Sequence, residues 1–78
     1  MNDKKLLDKA LLNKLGARVV QVREEKGMTQ QQLADAIGAK LKWVQRLEAG
    51  EINAELYSII MIVKAFDMPM KEFFTADF

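Results

Sequence analysis

The residues Thr29 to Gly50 read TQQQLADAIGAKLKWVQRLEAG, and the spacing of their apolar positions decides the fold. Thr29 with Gln32 three residues on has the form of a capping box, and Met28 before it can pack on Leu33 as a hydrophobic staple, so a helix is predicted to start here. Its inward face is Leu33, Ala34 and Ile37, with Ala34 small where a neighbour must cross closely, and Gly38 stops it. After a short turn a second helix is predicted from Leu41 to Ala49. Val44 and Leu47 face inward at a spacing of three, and Gly50 closes the helix at the position that favours a left-handed residue.

Upstream, Asn2 or Asp3 offers a cap for a longer helix whose apolar positions, Leu7, Leu11, Leu12, Leu15, Val19 and Val22, follow spacings of three and four. This helix is expected to run to about Lys26, with Gly27 beyond it. Gly16 interrupts the pattern, so the part before it reads either as a separate helix or as a frayed arm. Downstream, Asn53 is the expected N-cap of a further helix with Glu55 in its first turn and with Leu56, Ile59, Ile60, Val63 and Phe66 inward. Tyr57, Met61 and Lys64 fall on another, half-apolar face. Asp67 ends that helix, Pro69 opens a short last one, and Phe73 and Phe74 are expected to close the core. No segment alternates like a strand. The expected fold is all-α, a compact five-helix bundle: residues 1–14 form an N-terminal helical extension, 15–74 the domain and 75–78 a frayed tail.

A chain of 78 residues holds one core, and a domain near this size buries only roughly 60 to 65% of its unfolded surface, so stability is modest and self-association helps. With no cysteine and no histidine, a disulfide framework and the usual zinc sites are excluded, and no metal or cofactor is expected. Ser58, Asp35 and the glutamates form no pair of nucleophile and base, so an enzyme is not expected. The apolar run Leu6, Leu7, Ala10, Leu11, Leu12 is broken by Asp8 and Lys9 and lacks the form of a signal peptide. No run approaches the roughly 18 apolar residues of a membrane span. A soluble, cytoplasmic protein without membrane contact is the expectation.

The net charge of +1 conceals a polarity along the chain. Residues 1–26 hold seven Lys and Arg against four acids, 27–49 hold three against two, and 50–78 hold two against five. Such asymmetry suits a protein that turns one face to a polyanion and keeps the other for protein contacts. The predicted helix from Leu41 exposes Leu41, Lys42, Gln45 and Arg46, with Trp43 to one side, and no acid lies between Gly38 and Leu47. An α-helix fits the major groove of DNA, where Lys and Arg reach guanine O6 and N7, Gln reaches adenine, and apolar groups touch the thymine methyl. Two short helices about a glycine turn with this face outward have the form of a helix-turn-helix.

The segment from Leu15 to Phe74 resembles the Cro and phage-repressor type of helix-turn-helix family, often called XRE-like. The likeness rests on LGARVVQVREEKGMTQQQLADAIG, on Val44 and Leu47, on Glu48 and Gly50, and on EINAELYSIIMIVKAF leading into AFDMPMKEFF. It implies a bundle of the lambda-repressor-like type. It also implies that Leu41, Lys42 and Arg46 read bases with Trp43 and Gln45 bordering them, that Thr29 and Gln30 touch a phosphate at a helix N-terminus, and that Lys40 contacts backbone or a base edge. Asn53 with the amides after it is implied as a second phosphate clamp, and Arg23 with Glu48 as a partly buried structural ion pair.

Some positions depart from the family pattern. Lys40 stands where Ser or Thr usually caps the recognition helix, Leu41 and Trp43 where polar readers are common, Ala54 for a frequent proline and Asp67 for a frequent glycine. Trp43 therefore has two readings, a contact with DNA or an apolar contact with protein. Tyr57, Met61 and Met68, with Phe78 beside them, are candidates for a dimer patch.

The expected function is a sequence-specific DNA-binding transcriptional regulator, most simply a repressor, binding double-stranded DNA as a homodimer on half-sites about one helical turn apart. A close variant is the antitoxin of a toxin and antitoxin pair, with the toxin as protein partner. The rival from another class is a protein-interaction module docking through Leu41 and Trp43.

Overall fold

The computed structural model describes residues 8–75 and residue 78. The first helix, α1 (Lys9–Glu25), begins where the Asp8 carboxylate accepts the Ala10 amide at 2.9 Å, supplying a partner that a helix start otherwise lacks. The caps expected at Asn2 and Asp3, and Leu7, lie outside the described residues. The helix passes through Gly16 without a break, so neither a separate helix nor a frayed arm precedes that residue within the described part. Gly16 instead permits a close crossing: a Cβ there would stand 2.5 Å from the Glu48 carbonyl oxygen and 2.6 Å from that of Leu47. Val19 and Val22 are buried, Leu15 packs against the core, and Leu11, expected inward, is exposed.

The second helix, α2 (Gln30–Ile37), carries both halves of its capping box. Thr29 Oγ1 accepts the Gln32 amide at 3.0 Å and Gln32 Oε1 accepts the Thr29 amide at 2.8 Å. Leu33 and Ala34 are fully buried, and Met28 packs against the same core. Gly38 adopts a φ of 71°, which lets the Ala39 amide turn back to the Ala34 carbonyl at 2.9 Å and starts the next helix within a short turn. That helix, α3 (Leu41–Glu48), buries Val44 and Leu47. At its end Gly50, with a φ of 74°, allows the Glu51 amide to reach the Arg46 carbonyl and the Gly50 amide the Leu47 carbonyl, both at 3.0 Å. This is the Schellman arrangement.

The fourth helix departs from expectation in two respects. α4 (Leu56–Ala65) is capped by Glu55, whose side chain makes no cap bond, and not by Asn53. Ile52 and Ala54 pack against the core and hold residues 51–55 out of helical geometry, so the turn of helix expected at Asn53 does not form. The inward stripe is Ile59, Ile62, Val63 and Phe66. Leu56, 71% exposed, and Ile60, 36% exposed, face outward with Tyr57. Both stripes are apolar, so periodicity alone did not choose between them.

Asp67 takes a φ of 55°, the left-handed stop often supplied by glycine, and α5 (Met70–Phe73) follows Pro69. Phe73 is buried, with its ring 6.2 Å from Phe66. Phe74 does not close the core: it is exposed, edge-on to Phe73 at 4.9 Å and to Phe78 at 5.2 Å. Residues 76 and 77 of the expected tail lie outside the described residues. Arg18 binds α5 to α1. Its Nε donates to the Phe73 carbonyl and its Nη2 to the Glu72 carbonyl, each at 2.8 Å, and its guanidinium lies 5.6 Å from the centroid of the Phe73 ring. In the bundle α1 packs on α3, α2 on α3 and α4, and α4 on α5.

One ion pair joins three of these elements. Arg23 Nε donates to Glu48 Oε2 at 2.7 Å and Nη2 to Oε1 at 3.1 Å, while Nη1 donates to the Met28 carbonyl at 2.9 Å. Gln30 Nε2 adds a bond to Glu48 Oε1 at 2.7 Å. The side chains are only 11% and 5% exposed. The hydrogen bond to Glu48 raises the Arg23 pKa above its ordinary value against the opposing effect of burial, so the guanidinium stays cationic at every pH at which the protein is folded.

Two outcomes follow for stability. Arg23→Ala leaves the Glu48 carboxylate buried without its partner and is expected to cost about 3 to 5 kcal/mol in urea unfolding; a loss below about 1 kcal/mol would mean that water reaches the pair. Gly16→Ala gains up to about 1 kcal/mol of helix propensity, yet forces its Cβ onto backbone oxygen. A net destabilisation of roughly 1 to 3 kcal/mol is expected, and a rise in the unfolding midpoint would contradict the close crossing.

Candidate nucleic-acid interface

The face of α3 away from the core is set by its own period. With Val44 and Leu47 buried, Lys42, Gln45 and Arg46 at spacings of three and four stand together in solvent, all exposed. Leu41 and Trp43 flank them and are half-buried, and Trp43 packs against the core. Leu41, expected to be exposed, is thus partly withdrawn, and one side of the indole is already occupied by protein.

Lys40 occupies the N-cap of α3 in extended geometry and makes no side-chain cap bond. Its ammonium has no acceptor to offer, so no side chain satisfies the first amides of α3 from this position. Those amides and the dipole favour an anion there. The start of α2 is different in kind. The Thr29 hydroxyl accepts the Gln32 amide and the Gln30 side-chain amide is held on Glu48. Both of these polar side chains are thus engaged within the protein. Asn53 is exposed between the anchored Ile52 and Ala54, in the loop before α4.

A groove of about 480 Å³ separates α3 from α4, lined among others by Lys40, Lys42, Trp43, Arg46, Tyr57 and Met61. Its walls are aromatic and aliphatic and its rim carries three cations and no acid. Local patterning in the sequence did not place Tyr57 beside the exposed face of α3. The visible signal was the pair Leu56 and Tyr57 followed one turn later by Ile60 and Met61, more apolar surface than one core stripe uses. Of the residues considered for a dimer patch, Tyr57 is 70% exposed, Met61 is half-buried in this groove, and Met68 packs against the core.

Two further interactions shape the face. Arg46 Nε lies 3.5 Å from Glu51 Oε1, with side chains 52% and 55% exposed. At the far end of α3, Lys9 Nζ donates to the Gly50 carbonyl. Neither partner is within one helical turn of the other, so no local pattern announced either interaction. No helix among the described residues is long and apolar enough to cross a membrane.

Comparison with known proteins bears on this arrangement. The helix-turn-helix family model matches residues 19–73. The fold is similar to the crystal structure of the restriction-modification controller protein C.AhdI from Aeromonas hydrophila, at 34% identity and a TM-score of 0.79 over 83% of this chain and 98% of that one. No curated protein matches. On the family match, the buried Val44 and Leu47 and the cationic outer face of α3, the chain belongs to the Cro and phage-repressor type of helix-turn-helix family and is a DNA-binding transcription regulator.

Proposed function

We propose that the protein is a sequence-specific regulator that lays α3 in the major groove and represses a promoter by occupying its operator. The observation that carries this is the exposed Lys42, Gln45 and Arg46 face opposite buried Val44 and Leu47. In this reading Lys42 and Arg46 donate to guanine O6 and N7 and Gln45 pairs with adenine. Leu41 and the free edge of Trp43 touch a thymine methyl or deoxyribose. The Gln30 amide beside the Thr29 cap, Lys40 and the Asn53 loop hold phosphates on either side and set the register.

We further propose that a second copy docks through the outward side chains of α4. Leu56, Tyr57 and Ile60 are exposed and form more apolar surface than isolated residues normally leave in water. The homodimer then reads two half-sites about one helical turn apart. The likeness to a restriction-modification controller supports control of restriction and modification genes as the setting, in the cytoplasm. The antitoxin variant keeps the same DNA face and adds a toxin as partner. The protein-docking reading through Leu41 and Trp43 is less favoured, because Trp43 already packs against its own core.

Selection of bound sequences from random duplex DNA is the decisive experiment. A palindromic motif is expected, with binding that weakens with salt at a slope of roughly −0.9 per phosphate neutralised. Replacing Lys42 and Arg46 together by Ala is expected to lower operator affinity by at least about 30-fold, since each side chain bonded to a base edge is worth about 1 to 3 kcal/mol. Unchanged affinity in that variant, or no enriched sequence with the wild type, would remove the DNA-reading role of α3 and favour protein docking.

A further inference from the structure

The groove between α3 and α4 carries more than a polyanion requires. Phosphates and bases account for its rim cations, Lys40, Lys42 and Arg46, but not for its walls. Trp43, Tyr57 and Met61 line it together, and a sugar-phosphate backbone has no apolar body to set between them. Trp43 and Met61 are half-buried, whereas Tyr57 stands largely in solvent. At about 480 Å³ the groove falls within the range of small-molecule sites, roughly 300 to 1,000 Å³, which combine apolar walls with a few convergent polar groups. Its charge is one-sided. No acid lines it, and among the described residues neither Lys40 nor Lys42 takes part in an ion pair. Arg46 shares its charge with Glu51 at 3.5 Å in an exposed pair. The turn into α3 lines the same groove, and the first amides of that helix, left without a side-chain acceptor by Lys40, add to the positive potential.

We propose that this groove binds a small amphipathic anion, an aromatic carboxylate, and that the bound ligand excludes DNA from α3. The aromatic body lies against Trp43, Tyr57 and Met61, and the carboxylate meets the ammonium groups of Lys40 and Lys42. Charge complementarity selects the class: a neutral ligand leaves the cations unmatched, an inorganic anion leaves the walls wet, and a cation is repelled. The exclusion of DNA rests on the DNA-reading role proposed above, because the ligand takes cations that the operator also needs. Lys40 and Lys42 cannot hold a carboxylate and the duplex at once, so ligand and DNA lower each other's affinity by the same factor. The reading face and the sensor are then one surface.

The probe is 4-phenylbutyrate, with neutral 4-phenylbutyramide and acetate as controls at constant ionic strength. Trp43 is the chain's only tryptophan, so its emission reports the groove directly. The probe is expected to change that emission saturably with a Kd of roughly 1 mM or below. The amide is expected to bind at least about fivefold more weakly, the scale of one charge-assisted bond, and acetate to leave the emission unchanged. Met61→Ala removes part of the wall and none of the proposed DNA contacts. It is expected to weaken probe binding about fourfold or more, the scale of one lost methylene contact, with operator affinity unchanged. At about ten times its Kd the probe is expected to weaken operator binding at least about tenfold in the wild type, and by less in Met61→Ala at the same concentration. No saturable change, an amide that binds as well as the acid, probe binding untouched by Met61→Ala, or operator affinity unmoved by the probe would each overturn the proposal and leave the DNA-reading role of α3 standing. A wild type that enriches no sequence removes that role, and the exclusion of DNA with it, while the emission titration, which needs no DNA, still decides whether the groove is a site.

Discussion

A buried guanidinium fixes the geometry on which the rest depends. Arg23 directs its donors to both Glu48 oxygens and to the Met28 carbonyl, and Gln30 takes the remaining share of Glu48. The middle of the bundle therefore has one arrangement in which every charge is matched: α1, the start of α2 and the end of α3 meeting at one point. Among the described residues, no buried side-chain nitrogen or oxygen lacks a partner. A buried pair of this kind adds little or no net stability over an apolar substitute, and its effect is to penalise arrangements that leave one partner unmatched. Close passage of α1 at Gly16 brings the same end of α3 against α1. α3, the proposed recognition helix, is thus fastened at its C-terminal end. At its entry it has only half-buried Leu41 and Trp43 and the uncapped Lys40.

What the sequence disclosed divides by the range of the forces involved. The capping box at Thr29, the stops at Gly38 and Gly50 and the inward pair Val44 and Leu47 depend on neighbours within about one turn of helix, and residue types at fixed offsets report them directly. Gly16 has two meanings in a helix, a weak point or a crossing, and only the position of α3 distinguishes them. Asn53 has the chemistry of a cap, yet Ile52 and Ala54 drawn into the core prevail over it. In α4 nearly every side chain from Leu56 to Val63 is apolar, so two stripes compete and tertiary packing selects Ile62 over Ile60. The hold of Arg18 on Phe73 joins residues 55 positions apart and leaves no local trace.

The candidate site follows the same division. Lys42, Gln45 and Arg46 are the complement of a core stripe, so locating Val44 and Leu47 located them too. Trp43 was ambiguous because its ring suits both solvent-facing recognition and a partial place in the core. It takes an intermediate position, as amphipathic aromatics can. The groove beside it, with three cations above aromatic and aliphatic walls, belongs to the junction of α3 and α4. It came into view only once the true inward face of α4 was known.

The bond between Arg18 and the Phe73 carbonyl also bears on the order in which the chain assembles. The packing of α2 on α3, and of α4 on α5, joins neighbours in sequence, and such local pairings close small loops and form quickly. The bond from Arg18 spans 55 positions and has little to close on until the central helices are in place. The contact of α5 with α1, made by the Arg18 guanidinium on two carbonyls and the Phe73 ring, is therefore the last to close and the first to open. α3, packed against α1 and α2, does not depend on it. The chain can breathe at its C-terminal end while the proposed DNA-reading face of α3 keeps its shape.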